Sequence, residues 1–175
     1  LGASERAAEV AAHIADAKQR AEESMQGEAE ALAAKPEARR GRDGEASSRA
    51  VALTRLAETA MRFFASDERL EGWLGEAVAL APKMRRAWRA RERLALLRGD
   101  QAARAAVLQE SLAACADVEE RKRLYMELVR AFAQLGEASR ADECAASVLA
   151  LDPAHPSALA HLADRYKAGQ NWSGL

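Results

Sequence analysis

Residues 122–155 read KRLYMELVRAFAQLGEASRADECAASVLALDPAH, and this stretch decides the fold. Tyr125, Leu128, Val129 and Phe132 recur at steps of three or four, the spacing that places side chains on one face of a helix. Gly136 follows, then Ala141 and Ala145 take up the same spacing, and Pro153 ends it. A glycine after the last periodic residue supplies a left-handed C-terminal cap, and a proline just past a helix prevents its continuation. The stretch therefore reads as helix, tight turn, helix, stop.

The same punctuation recurs on either side. Gly99 to Gly136 is 37 residues, Gly136 to Gly169 is 33, and Pro82 to Pro153 is 71, close to two cycles of about 34. Pro36 also follows an Ala- and Leu-rich run, and Ala79-Leu80-Ala81-Pro82 echoes Leu149-Ala150-Leu151-Asp152-Pro153. Sustained alternation and β-branched runs are missing, so no strand is expected. Alanine is abundant and aromatics make up 5%, a composition for close helix-on-helix packing.

The motif resembles the tetratricopeptide repeat (TPR), whose pattern runs W-x2-L-G-x2-Y, then A-x3-F, then P within a cycle of about 34 residues. Residues 122–155 follow it with conservative changes, and 156–175 begin another unit with Leu159, Leu162, Ala163 and Tyr166. Residues 51–84 keep Leu70, Leu74, Ala77 and Pro82, but offer Thr54, Ala57, Glu58 and Met61 in their first helix. Residues 85–121 supply Trp88 and Gly99, place Arg91 and Glu92 where Leu-Gly is usual, and are assigned three extra residues. The resemblance implies an all-α fold, a right-handed superhelical stack of antiparallel helix pairs over 51–175, with the first helix of each pair lining a concave face.

Ahead of the array, Val10, Ile14, Ala17, Ala21, Met25, Ala29 and Leu32 describe an amphipathic helix within 1–36, interrupted or bent near Gly27. It is either a degenerate repeat or one long helix that packs on a neighbour or a second copy. Residues 37–48, with Arg39-Arg40-Gly41-Arg42-Asp43-Gly44-Glu45, lack periodicity and are expected to be a flexible loop. The chain opens at Leu1 without Met and is read as a piece of a longer protein. No secretory signal is visible and no apolar run reaches the roughly 18 residues of a membrane span, but in a piece of a longer protein the missing signal says nothing about the parent; localisation is unassigned, with a cytoplasmic setting favoured.

Groups able to carry chemistry are sparse. His13, His155 and His161 fit no metal-ligand spacing, Cys115 and Cys144 read as buried thiols, and Gly41-Arg42-Asp43-Gly44 lacks the context of a phosphate loop. Glu22-Glu23 and Glu119-Glu120 are solvated helix faces. No catalytic residue, metal or cofactor is assigned, and the chain is read as a non-enzyme.

Charge gives the sharper signal. The chain carries 26 basic and 27 acidic side chains, a balance that argues against whole-surface binding to nucleic acid or membrane. Yet Lys83, Arg85, Arg86, Arg89, Arg91, Arg93 and Arg98 crowd one stretch with Glu92 as their single acid. Arg86, Arg89 and Arg93 fall in one row beside an apolar stripe of Ala87, Ala90, Leu94 and Leu97. Laid on the TPR pattern, the groove-facing residues are Arg55, Arg62, Arg86, Arg89, Arg93, Arg123, Met126, Arg130 and Lys167. That implies a protein-interaction scaffold receiving an acidic peptide or partner segment.

The blander alternative pairs these arginines with Glu58, Glu92 and Glu127 on a solvated face. Two rival functions are a docking or regulatory arm of a larger enzyme, and nucleic-acid binding, which lacks aromatics for base stacking. Family members that clamp a chaperone's C-terminal carboxylate use Asn on their first helices; here Asn171 is the only Asn, which disfavours that ligand. Self-association through the N-terminal helix or the uncapped C-terminal repeat is left open.

Overall fold

The computed structural model describes residues 2–34 and 42–168. These form eight helices and no strand: α1 (Gly2–Ala34), α2 (Arg42–Ala60), α3 (Arg69–Leu80), α4 (Arg85–Leu97), α5 (Gln101–Ala114), α6 (Val118–Leu135), α7 (Ala138–Leu151) and α8 (Pro156–Ala168). The chain divides into two compact units, Leu1–Leu94 and Ala95–Leu175, and the division falls within α4.

The punctuation works as its chemistry requires. Gly99 and Gly136 adopt positive φ (69° and 76°), which a side chain would strain, and each turns the chain back at a helix end. At the α6 terminus the amides of Gly136 and Glu137 donate to the carbonyls of Ala133 and Phe132, closing the orphan acceptors of the last turn. Asp100 and Asp117 cap α5 and α6 by accepting from the amides of Ala103 and Glu120, both at 2.8 Å. α3 and α7 stop just short of Pro82 and Pro153. Pro36 and Gly169 lie outside the described residues.

In the first unit, two clusters of buried side chains fix the directions of the helices. One joins Ala50 and Leu53 of α2, Ala77 and Val78 of α3, and Ala87 of α4. The other joins Leu56, Ala57 and Ala60 of α2, Leu70 and Leu74 of α3, and Ala90 and Leu94 of α4, with Met61 just past α2 and Met25 of α1 added. Helices α2 and α4 pass the clusters in the same order and so run parallel; α3 passes them in reverse. The second unit has one core, built from Ala105 and Leu108 of α5, Leu124, Leu128, Val129 and Phe132 of α6, Ala141, Ala145 and Val148 of α7, and Ala158 of α8.

Burial also sets the register of the repeat. Leu56, Ala90, Leu124 and Ala158 are all buried and evenly spaced, each one repeat length beyond the last. Ala60, Leu94 and Leu128 form a second such ladder with the same step. On the alternate helices, Leu70, Leu74 and Ala77 correspond at that step to Arg104, Leu108 and Ser111. The next correspondence, to Ala141, Ala145 and Val148, needs a step longer by three. The three additional residues therefore lie between the cores of α6 and α7, not within 85–121 as the sequence reading has them. The step from α7 to α8 is shorter by the same amount.

Other expectations are corrected here. α1 runs 33 residues through Gly27 without a break. Its Met25 is buried against α2, whereas Val10 and Ile14 are exposed. The segment read as a loop over 37–48 is helical from Arg42, because Arg49 Nε pairs with Glu76 of α3 at 2.6 Å and Ala50 is buried, so tertiary contact overrides the weak helix propensity of Gly44. Residues 37–41 lie outside the described residues. Leu97, placed in the apolar stripe, is 50% exposed, and Ala158 rather than Leu159 enters the core. Cys115 and Cys144 are half-buried rather than buried.

Candidate functional site

Helix α4 buries Ala87, Ala90 and Leu94, which turns Arg86, Arg89 and Arg93 to solvent. Helix α2 buries Leu53, Leu56 and Ala60, which turns Arg55 outward. The two sets of buried residues are offset by one repeat, so Arg55 and Arg89 occupy equivalent positions on parallel helices, as do Glu58 and Glu92. Arg62 lies in the turn that directly follows α2, where the Arg62 and Phe63 amides donate to the carbonyls of Thr59 and Ala60. Both Arg62 and Phe63 are exposed.

Arg86 joins α4 to α2. Its Nε lies 3.0 and 3.1 Å from the two carboxylate oxygens of Glu58, and its Nη2 binds one of them as well. This fork-on-carboxylate geometry is the strong form of the pair, and the hydrogen bonds to Glu58 push the Arg86 pKa above its ordinary value. Arg91 forms a second tie, from α4 to Glu71 of α3 at 2.8 Å. Arg89 makes an interaction within the chain, and Arg55, Arg62 and Arg93 form no ion pair among the described residues.

The second unit treats its candidate residues differently. Arg123 occupies on α6 the place of Arg55 and Arg89, but is closed onto Glu120 at 2.9 Å. Arg130 is closed onto Glu127 at 2.6 Å. Met126 is partly buried against the core, and Lys167 on α8 is exposed without an ion pair among the described residues. The bland pairing is thus realised for Arg86 with Glu58 and for Arg130 with Glu127.

Several polar arrangements escape the sequence reading. Arg104, only 6% exposed, fills the core position held by Leu70 in the preceding helix pair and binds Glu127 of α6. Lys122 bridges Glu119 (2.9 Å) and Asp152 (3.2 Å), tying α6 to the end of α7; the hydrogen bond to Lys122 pulls the Asp152 carboxyl below its usual range. His161 Nε2 lies 2.9 Å from Asp142, which also meets Arg165, so α8 is tied to α7. His155 caps α8, its Nδ1 accepting from the Ala158 amide at 3.3 Å. Partners 19 to 30 residues apart leave no local signal.

No group of three or more metal-binding side chains occurs among the described residues. Burial is the main cause that pushes the Cys144 thiol up, away from the reactive thiolate. Among the described residues no helix is long and apolar enough to cross a membrane.

Parallel α2 and α4, antiparallel α3 between them and a burial ladder at the repeat interval define an all-α, TPR-like helical repeat. Among solved structures, the crystal structure of MamA, a TPR-containing protein, superposes on 89% of this chain and 82% of its own with a TM-score of 0.57 and 17% sequence identity. That likeness speaks for the fold. No protein-family model and no curated protein matches the chain.

Proposed function

We propose that the chain is a protein-interaction scaffold whose α2–α4 face receives an acidic segment of a partner protein. One observation carries the reading: Arg55, Arg86, Arg89 and Arg93 stand exposed on two parallel helices of one unit, while Glu58 and Glu92 are the acids at the same level of those helices. A guanidinium presents five donors in a planar fork, so an arginine already holding one acid can still bind another carboxylate. The face on the second unit is the weaker one, since Arg123 and Arg130 are each closed onto an acid of their own helix. The TPR-like fold accords with a binding role, because stacked helix pairs present long continuous surfaces.

The test is titration of a fluorescein-labelled octaglutamate peptide followed by anisotropy. Binding is expected at about 50 mM salt and is expected to fall steeply toward 1 M, where the screening length shrinks to about 3 Å. The double reversal Arg89→Glu with Arg93→Glu is expected to abolish it, and Lys18→Glu with Arg20→Glu on α1 to leave most of it, melting temperatures being matched. Equal affinity in the folded Arg89/Arg93 variant returns these arginines to a solvating role.

A further inference from the structure

Arg86 is already occupied by an acid of the chain itself. It turns the edge formed by Nε and Nη2 to Glu58, with Nε 3.0 and 3.1 Å from the two carboxylate oxygens. Such an edge grips a carboxylate through parallel bonds. Its Nη1 has no hydrogen-bond partner among the described residues. Glu58 therefore holds the place on this arginine that a carboxylate from outside would take.

The fold does not require that pair. One repeat length on, the places of Glu58 and Arg86 are taken by Glu92 and Glu120, two acids that cannot bridge. Both units build their cores from apolar clusters instead. Opening the pair also costs little, because the side chains of Arg86 and Glu58 are 53% and 29% exposed and water reaches both. An ion pair in contact with water shifts an equilibrium by no more than about fivefold.

Resting on the acidic-partner reading above, we infer that Glu58 is a built-in competitor: its carboxylate stands in for one of the partner's on Arg86, and an acidic segment binds by displacing it. Nη1 admits an incoming carboxylate while Glu58 is still in place. The Nε–Nη2 edge then passes to the partner, and Glu58 turns to water. Arg55 and Arg93, which form no ion pair among the described residues, need no such exchange. A lone carboxylate gains nothing at Arg86, since one acid merely replaces another. A segment with several acids is held elsewhere on the face and completes the exchange at high local concentration, so Glu58 selects for multiply acidic partners.

The labelled octaglutamate peptide tests this at about 50 mM salt as a cycle over four proteins: the parent, Glu58→Gln, Arg86→Ala and the double variant, with melting temperatures matched. Removing an acid beside the face strengthens an acidic ligand through the field alone, and that gain is the same with or without Arg86. Displacement adds the strength of the Glu58–Arg86 pair only where Arg86 is present. Glu58→Gln is therefore expected to tighten binding more in the parent than in the Arg86→Ala background, the excess reaching up to about fivefold. Binding seen only after Glu58→Gln supports the inference as well, since the competitor then closes the face completely. Equal gains in the two backgrounds, or weaker binding after Glu58→Gln, overturn it, and the acidic-partner reading survives because the parent still binds. If none of the four folded proteins binds the peptide, both are overturned.

Discussion

Arg104 and Glu127 provide a strong energetic test, because the repeat itself states what else could stand in their place. Arg104 on α5 occupies the core position that Leu70 fills on α3 and Ala141 on α7, with its side chain 8% exposed, and Glu127 on α6 is 18% exposed. Glu127→Ala removes the carboxylate and leaves the guanidinium in the core. Breaking a fully buried pair costs about 3–5 kcal/mol. Arg104 keeps a further interaction within the chain, and the partial exposure of Glu127 admits water, so about 2–3 kcal/mol is expected.

Replacing both partners gives the contrasting result. Arg104→Leu restores the side chain of the preceding helix pair, and combined with Glu127→Leu it removes the need for a counter-charge. The double variant is expected within about 1 kcal/mol of the parent and clearly more stable than Glu127→Ala, since a buried pair exchanged for apolar groups is often neutral. Because repeat arrays can unfold in parts, native-state hydrogen exchange at the α6 amides is a better readout than a global melt. A Glu127→Ala cost below about 0.5 kcal/mol, or a double variant as unstable as the sum of the singles, refutes the reasoning.

Two further expectations follow from local chemistry. Asp152 has its carboxyl pKa lowered by Lys122, so the pair contributes stability that is full above the unfolded value of about 3.9 and is lost as pH falls through the folded one. Lys122→Met is therefore expected to flatten part of the acid limb of a melting-temperature profile, and an unchanged profile contradicts the assignment. Gly136→Ala meets no neighbouring atom but forces alanine to φ 76°, so about 1–2 kcal/mol of destabilisation is expected in urea titration, and a neutral result refutes the strain argument.

Much of the fold is legible because helix ends carry local chemical marks. Gly99, Gly136, Pro82 and Pro153 announce their turns through backbone constraints that hold in any context. Leu128, Val129, Phe132, Ala141 and Ala145 announce their faces by spacing, and all are buried. Register is harder to read. In an alanine-rich helix the core position and the surface position carry the same residue, so Ala90 and Ala158 are indistinguishable from exposed alanines such as Ala102 until neighbours surround them. That ambiguity is why spacing alone places the three additional residues in the wrong helix pair.

The start of α2 hides for a different reason. Gly44 lowers helix propensity over residues that are held instead by Arg49 against Glu76 and by the burial of Ala50, contacts with a helix that comes later in the chain. For the candidate surface, the sequence signals where arginines concentrate. It does not signal which of them are occupied, because Arg86 and Glu58 are 28 residues apart.

The most direct test of the central claim is a nuclear magnetic resonance titration of arginine side-chain Nε–H groups in the 18.9 kDa chain with the octaglutamate peptide. Shifts that saturate together are expected at Arg55, Arg86, Arg89 and Arg93, with Arg123, Arg130 and Arg140 little changed. Shifts confined to Arg123 and Arg130, or spread evenly over all arginines, contradict a binding face on α2 and α4.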